Sequence, residues 1–172
     1  MKNLLFIITL SLFSLHLSAQ QAVQKKPDAD MVQFFTGKWA GEGKFFNDKP
    51  IAAALDFSVA LDSSWLTHTH TDKAPNNYKA TSWWGVDPKS GEFVAYTFDN
   101  FGGQRKFEST GWKDGKLILT TQQLNAKGET SWQHFIYEKL SDASFKMTYE
   151  VSKDSITWRM VDYLIFNRVS KV

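Results

Sequence analysis

After residue 37 the chain consists largely of short runs in which apolar and polar residues alternate, and this feature limits the fold more than any other. Every second side chain from Ile51 to Leu61 is apolar, and residues 144–152 repeat the pattern. Alternation with a period of two indicates strands that bury one face and expose the other. The strands predicted in this way are residues 38–46, 51–61, 65–71, 78–86, 92–99, 104–112, 116–124, 130–140, 144–152 and 156–168.

The segments between these runs carry residues that favour tight turns, among them Pro50, Pro88 and Gly115. Short connections place consecutive strands side by side. No long helix is predicted to cover the apolar face, so the sheet must curl on itself, and Gly41 and Gly43 permit the bend that closure demands. We therefore predict an all-β fold, a single antiparallel up-and-down β-barrel of about ten strands whose interior can be hollow.

A short helical segment is predicted before the first strand. Met31, Phe34 and Phe35 recur there at helical spacing, after Asp28 or Asp30 as an N-terminal cap. We expect this segment to fold back as a plug that buries its apolar side chains in one end of the barrel.

The N-terminus has the pattern of a secretory signal peptide. Lys2 precedes an apolar run at residues 4–17, and Ser18-Ala19-Gln20 is typical of a cleavage site. We predict a signal peptide at residues 1–19, a disordered linker at residues 20–30 and a barrel domain at residues 31–172. The protein is expected to be exported, either periplasmic or secreted, with no membrane segment after signal removal.

Composition excludes several classes of site. The chain has no cysteine, so disulfides, thiolate chemistry and cysteine-ligated metals are impossible. The net charge is +2 and the charges are interspersed, whereas a nucleic-acid-binding surface needs clustered Lys and Arg. No nucleophile elbow, phosphate loop or His-Glu-x-x-His motif occurs, and we predict that the protein is not an enzyme.

The motif Gly37-Lys38-Trp39, followed by Gly41-Glu42-Gly43, resembles the opening of calycin barrels, the superfamily of lipocalins and fatty-acid-binding proteins. Residues 85–99, 111–117 and 137–147 extend the resemblance to an uncharacterised family of bacterial lipocalin-like proteins. The resemblance implies a ligand cavity. It also implies that Trp39 closes one end of the barrel, beside Gly37, by stacking with a basic residue of the last strand, here Arg168.

We predict a small hydrophobic or amphipathic ligand, lipid or fatty-acid-like, inside the barrel. Asp162 lies in phase with apolar residues, and because an unpaired buried carboxylate is costly it is expected to have a partner such as Arg105 or Tyr149. Arg105 is suited to holding a ligand carboxylate. The candidate ligand-binding residues are Trp84, Tyr96, Arg105, Phe107, Trp132, His134, Tyr149, Trp158 and Asp162.

A first alternative is haem binding. The sequence also resembles the ten-stranded haem-binding nitrobindin type, which implies a histidine ligand on a late strand, and His134 is the residue that corresponds by order. His134 shares its face with Trp132 and Ile136, while Phe135 and Tyr137 occupy the other face. Both faces are aromatic, so periodicity leaves the direction of His134 open.

Two further alternatives stay open. His68 and His70 lie two apart on one strand and so share a face, where they can bind a metal with Asp72 as a third ligand. The ordinary interpretation is that both face solvent on a Thr-rich strand. The other alternative is a filled barrel that acts as an interaction module through an aromatic patch around Trp83 and Trp84.

Overall fold

The computed structural model describes residues 25–124 and 127–169, which form one short helix and ten strands. The helix is α1 (Ala29–Phe35), and the strands are β1 (Gly37–Phe45), β2 (Pro50–Ala60), β3 (Trp65–Asp72), β4 (Lys79–Val86), β5 (Phe93–Asp99), β6 (Gln104–Ser109), β7 (Lys116–Leu124), β8 (Thr130–Ser141), β9 (Ser144–Ser152) and β10 (Arg159–Arg168). Each end of every predicted strand lies within about three residues of the observed one, as expected for strand boundaries set from sequence.

The predicted signal peptide at residues 1–19 lies outside the described residues. So does the first part of the predicted linker, and α1 begins at Ala29, inside the segment predicted as linker. Within residues 25–124 and 127–169, no helix combines the length and apolar character needed to cross a membrane.

The ten strands form a closed barrel in which chain neighbours pair antiparallel and β1 pairs with β10. The closing register runs from Trp39 opposite Arg168 to Phe45 opposite Asp162. The predicted up-and-down barrel is therefore confirmed. Its weakest seam joins β6 to β7, where Glu108 opposite Thr120 is the one paired position.

The two glycines of β1 are required by close approach of β10. A Cβ atom added to Gly41 would lie 2.5 Å from the Phe166 ring, and one added to Gly43 would lie 1.7 Å from the carbonyl oxygen of Tyr163. Any larger residue at either position would push β10 away from β1. The glycines thus permit the tight closing seam between the first and last strands.

Helix α1 closes one end of the barrel as a plug. The carboxylate of Asp28 accepts a hydrogen bond from the Met31 backbone N–H at 2.9 Å, which caps the helix. Met31 and Phe35 are fully buried. Phe35 packs edge-on against the Trp84 ring at 5.4 Å, so the plug fills the barrel up to that level.

The end of β10 ties the plug to β1. The Arg168 guanidinium lies 4.2 Å from the Trp39 ring centroid and donates hydrogen bonds to the carbonyl oxygens of Phe34 and of Thr36, the latter at 2.8 Å. Trp39 Nε1 donates to the Phe35 carbonyl oxygen at 2.7 Å. Arg168 therefore lies where the family resemblance implies, and it also holds the carbonyl end of α1.

We predict that Arg168→Gln lowers the free energy of unfolding by about 2 kcal/mol, because it removes a cation–π contact and two hydrogen bonds from the plug. Urea unfolding followed by tryptophan fluorescence measures this loss. The matched control is Arg159→Gln on the same strand, since Arg159 is exposed and lies 5.5 Å from the Phe46 ring. Equal losses in the two variants would contradict the role assigned to Arg168.

Candidate functional site: an interior cavity

A cavity of about 360 Å³ lies inside the barrel, between the plug and the opposite end. Near the plug its wall is apolar, with Trp84, Leu119 and Met147. At the other end polar side chains converge. The complete lining is Phe45, Ile51, His68, His70, Asp72, Pro75, Asn76, Asn77, Tyr78, Ala80, Ser82, Trp84, Thr97, Phe101, Arg105, Leu119, Phe135, Tyr137, Met147, Tyr149, Asp162 and Leu164.

Two loops form the mouth of this cavity, which we define as residues 73–78 between β3 and β4 and residues 100–103 between β5 and β6. The loops are joined to each other through Asn100. Its amide nitrogen donates to the Asn77 carbonyl oxygen at 2.9 Å, and its amide oxygen accepts from the Lys79 backbone N–H at 2.8 Å. These hydrogen bonds fix the two loops relative to each other at the mouth of the cavity.

Arg105 anchors the polar end of the cavity. Its Nη2 donates to Asp99 at 3.1 Å and to the Tyr78 hydroxyl at 2.9 Å, and its Nη1 donates to Gln133 at 3.2 Å. Both side chains of the Arg105–Asp99 ion pair are nearly buried. The same Asp99 carboxylate accepts from the backbone N–H of Gly103, so one acid fixes both the arginine and the mouth.

Strand β3 directs its histidines into the barrel, which corrects the ordinary interpretation that they face solvent. His68 and His70 are buried and line the cavity together with Asp72. His70 Nε2 lies 2.7 Å from an oxygen of Asp72. The two residues form a hydrogen-bonded pair near the mouth. Within the described residues, no three His, Asp or Glu side chains are grouped so as to hold a metal ion.

His68 is the most unusual polar group of the interior. Its side chain packs 4.5 Å from the Phe57 ring and 5.1 Å from the Trp84 ring, and neither ring nitrogen has a hydrogen-bond partner among the described residues. Burial, together with the neighbouring His70, lowers the pKa of His68 to about 3. The imidazole is therefore neutral at physiological pH, with one donor and one acceptor that no described residue satisfies.

Asp162 lines the mouth end of the cavity. Its side-chain carboxylate has no hydrogen-bond partner among the residues that the structure describes. Burial first, and the negative charge of Asp72 second, raise the pKa of Asp162 to about 7. The expected pairing of Asp162 with Arg105 is not formed, because Arg105 is engaged by Asp99. Tyr149 is the register partner of Asp162 on β9, but no hydrogen bond joins their side chains.

Three tyrosines place hydroxyl groups in the cavity. Burial raises the pKa of Tyr78, Tyr137 and Tyr149, so their phenols stay protonated. The Tyr78 oxygen already accepts from Arg105, which leaves its O–H proton to donate elsewhere. Nε1 of Trp84 is also buried without a partner. The interior thus offers several hydrogen-bonding groups to an occupant.

Of the predicted ligand-binding residues, the structure brings together Trp84, Arg105, Tyr149 and Asp162 around the cavity. Phe107 is fully buried just outside the lining, with its ring 5.5 Å from that of Phe135. The remaining four, Tyr96, Trp132, His134 and Trp158, do not line the cavity.

Tyr96 lies outside because β5 turns Thr97 inward. Its ring is 6.1 Å from that of Trp65, which in turn lies 6.5 Å from Trp83, and these half-buried rings form a small cluster on the outer wall. Trp84, by contrast, is fully buried. The patch expected around Trp83 and Trp84 is therefore not formed, since neighbouring residues of a strand face opposite sides.

His134 and Trp158 lie on the outer face and stack with ring centroids 3.3 Å apart. Strand β8 turns Phe135 and Tyr137 inward, so His134 and Trp132 face away from the cavity. On β10 a register shift between Met160 and Asp162 moves Trp158 off the inner face. His134, whose pKa is lowered by partial burial, cannot contact a ligand held in the barrel.

The predicted ligand-binding set left out most of the cavity lining, including the polar residues His68, His70, Asp72 and Tyr78. His68, His70 and Asp72 follow Leu66 in phase along β3, and this phase was the available signal. It was weak because the opposite face carries Trp65 and three threonines, so neither face is plainly the apolar one. Tyr78 begins the strand predicted at residues 78–86 and shares the phase of Ala80 and Trp84, which line the cavity with it, so the same signal was available there.

No protein-family model matches the chain, and no curated protein matches it either. Among solved structures the chain is similar to a redesigned beta barrel, at 9% sequence identity and a TM-score of 0.39, over 81% of this chain and 95% of that one.

We predict that His68→Phe makes stability less dependent on pH. The folded state holds His68 neutral down to about pH 3, whereas the unfolded chain protonates it below 6.5, so stability falls as pH falls through that window. The variant should gain about 1.4 kcal/mol over the wild type for each pH unit below 6.5, measured by urea unfolding between pH 7.5 and 4.5.

The matched control is His68→Asn, which stays polar and does not titrate. Both variants should lose the pH-dependent part of the free energy of unfolding that comes from His68, although their stabilities at pH 7.5 differ. If both variants keep the wild-type dependence of stability on pH, the pKa of His68 is not lowered in the folded barrel.

Proposed function

We propose that the protein binds a small hydrophobic or amphipathic molecule inside a calycin-like barrel and does not transform it chemically. The observation that carries the proposal is the interior cavity of about 360 Å³. Ligand sites in proteins fall in the range of roughly 300 to 1,000 Å³ and combine apolar walls with a few convergent polar groups. This cavity has both properties.

The distribution of the lining supports a defined orientation of the occupant. Trp84, Leu119 and Met147 form an apolar wall near the plug, and Arg105 and Asp162 lie at the opposite end. Burial of a polar group without a partner is unfavourable, so an amphipathic molecule places its apolar part towards the plug and its polar part towards the mouth.

The position of the cavity also favours interior binding over the alternatives. A barrel that acts only through its outer surface needs no space inside, and the outer aromatic cluster contains Trp83 without Trp84. For haem, the predicted ligand His134 stacks on Trp158 outside the barrel. Neither observation favours those alternatives, and interior binding is the function that the geometry supports best.

Binding is tested with N-phenyl-1-naphthylamine, a neutral apolar probe whose fluorescence rises in an apolar site. Ala80 lines the cavity and the next residue, Thr81, is exposed on the outer face. We expect the wild type and Thr81→Leu to bind the probe equally, and Ala80→Leu to weaken binding at least about tenfold because added methyl groups fill the cavity.

Thermal unfolding must show that both variants are folded before the comparison is made. Two results would overturn interior binding. One is absence of a fluorescence change with the wild type, and the other is equal weakening of binding in Ala80→Leu and Thr81→Leu.

We further propose that the protein is exported, on the strength of the apolar run at residues 4–17 and the small residues before Gln20. When the full chain is expressed in a bacterial host, N-terminal sequencing of the protein outside the cytoplasm should begin at Gln20. Leu10→Arg, which interrupts the run, should keep the N-terminus intact and the protein in the cytoplasm. Recovery of uncleaved wild-type protein from the cytoplasm alone would contradict export.

A further inference from the structure

We propose that the polar end of the occupant is a cation, an organic amine or ammonium group held between Asp72 and Asp162 at the mouth of the cavity. This inference deepens the proposed function and rests on it. It reverses the expectation that Arg105 recognises the carboxylate of a fatty-acid-like ligand.

The first observation in favour of a cationic group is the balance of charged side chains in the cavity lining. The ionic side chains of the lining, apart from histidines, are Asp72, Arg105 and Asp162. The charge of Arg105 is already matched by Asp99, with nitrogen and oxygen 3.1 Å apart and both side chains nearly buried. Two carboxyl groups, those of Asp72 and Asp162, therefore remain at the mouth end without a counter-charge from Arg105.

A histidine can compensate for one of these carboxylates at most. His70 is paired with Asp72, with nitrogen and oxygen 2.7 Å apart. His68 is neutral at physiological pH. Asp162 has neither an ion-pair partner nor a hydrogen-bond partner among the described residues, so one acid of the cavity has no counter-charge from this part of the protein.

The two acids act on each other. The charge of Asp72 adds to burial in raising the pKa of Asp162, which is the effect expected of like charges in one poorly solvated site. A ligand carboxylate placed there would add a third negative charge. A ligand cation would instead lower the pKa of Asp162, and the proton that Asp162 holds in the free protein would be released on binding.

Aromatic side chains surround the same end of the cavity. Phe45, Tyr78, Phe101 and Tyr149 all line it, and Phe45 is the register partner of Asp162 across the closing seam. Aromatic faces attract cations more strongly when water is excluded. An unpaired carboxylate beside aromatic rings is the chemistry that recognises ammonium groups.

An independent observation indicates that the occupant carries a second polar group. His68 is 5% exposed, lines the cavity and has two ring nitrogens without partners, and the indole N–H of Trp84 beside it is also unpartnered. Buried polar atoms are nearly always hydrogen-bonded, so these groups point to an occupant with a hydrogen-bonding group at its deep end.

The spacing along β3 sets the length of such a molecule. His68 and Asp72 are four residues apart on one face, which corresponds to roughly 13 Å at a strand rise of about 3.3 Å per residue. Side chains at both ends shorten the gap to be bridged. A hydroxylated arylalkylamine, with its ammonium group at the mouth and its hydroxyl near His68, matches this chemistry and size.

The test compares three probes that share one scaffold and differ in the charge of one group, namely tyramine (ammonium), tyrosol (neutral hydroxyl) and 3-(4-hydroxyphenyl)propanoate (carboxylate). Isothermal titration calorimetry at pH 7.5 should show tyramine binding at least about tenfold more tightly than tyrosol, as expected for a charge-assisted contact. The carboxylate should bind most weakly. The same order should hold for n-octylamine, 1-octanol and octanoate.

Two variants test the residues. Asp162→Asn and Asp72→Asn should each reduce the preference for tyramine over tyrosol, and the double variant should abolish this preference. The matched control is Asp56→Asn, since Asp56 is an exposed acid of β2. Asp162→Asn removes an uncompensated acid and is expected to fold, which thermal unfolding verifies.

A proton measurement separates direct contact with Asp162 from a general effect of charge. Titrations of tyramine in two buffers with different ionisation enthalpies should show release of a fraction of a proton at pH 7.5 in the wild type. Asp162→Asn should release none, and tyrosol should release none from either protein.

Each outcome decides between the proposals. Equal affinities for tyramine and tyrosol, together with binding of N-phenyl-1-naphthylamine, would overturn the cation inference and leave interior binding intact. Tightest binding of the carboxylate would overturn the inference and assign recognition to Arg105. Failure of both the neutral probe and all three matched probes would overturn interior binding itself.

Discussion

The contact between the last residue of β10 and the carbonyl end of α1 determines which end of the barrel is closed. A helix leaves its last carbonyl groups without partners inside the helix, and here they are satisfied from the barrel. Arg168 and the Trp39 indole donate hydrogen bonds to consecutive carbonyls of residues 34–36. Because α1 is held there, Phe35 fills the interior up to Trp84, and the cavity lies beyond it.

The strand pattern predicted the architecture because the signals that specify strands and turns are local. The alternation in β2 and β9 is regular on both faces, and turn residues between strands restrict the register of neighbours. Closure then followed from the absence of any long helix to cover the apolar face. The closing seam beside Trp39 was expected from the resemblance that Gly37-x-Trp39 carries. The structure adds a steric reason for the glycine, because a side chain at Gly37, where φ is +118°, would lie 3.2 Å from Arg168.

The candidate site was less predictable, for two physical reasons. On β3 and β8 the two faces carry similar residues, threonines against histidines in one and aromatics on both sides in the other, so alternation does not say which face is inside. On β10 the register shift between Met160 and Asp162 interrupts the period of two, so that Asp162 lies inside and Trp158 outside. A bulge of this kind leaves no signal in hydrophobic periodicity.

His68 and Asp162 each lower the free energy of unfolding of the barrel, and the two effects depend on pH in opposite directions. The lowered pKa of His68 reduces stability as pH falls below 6.5, and the raised pKa of Asp162 reduces it as pH rises from 3.8 towards 7. Between these values both groups are neutral in the folded protein and charged in the unfolded chain. Such costs are typical of functional sites, where an occupant offsets them on binding. An occupant that supplied a hydrogen bond to His68 and a counter-charge to Asp162 would therefore stabilise the fold as it binds, which couples the stability of the barrel to its ligand.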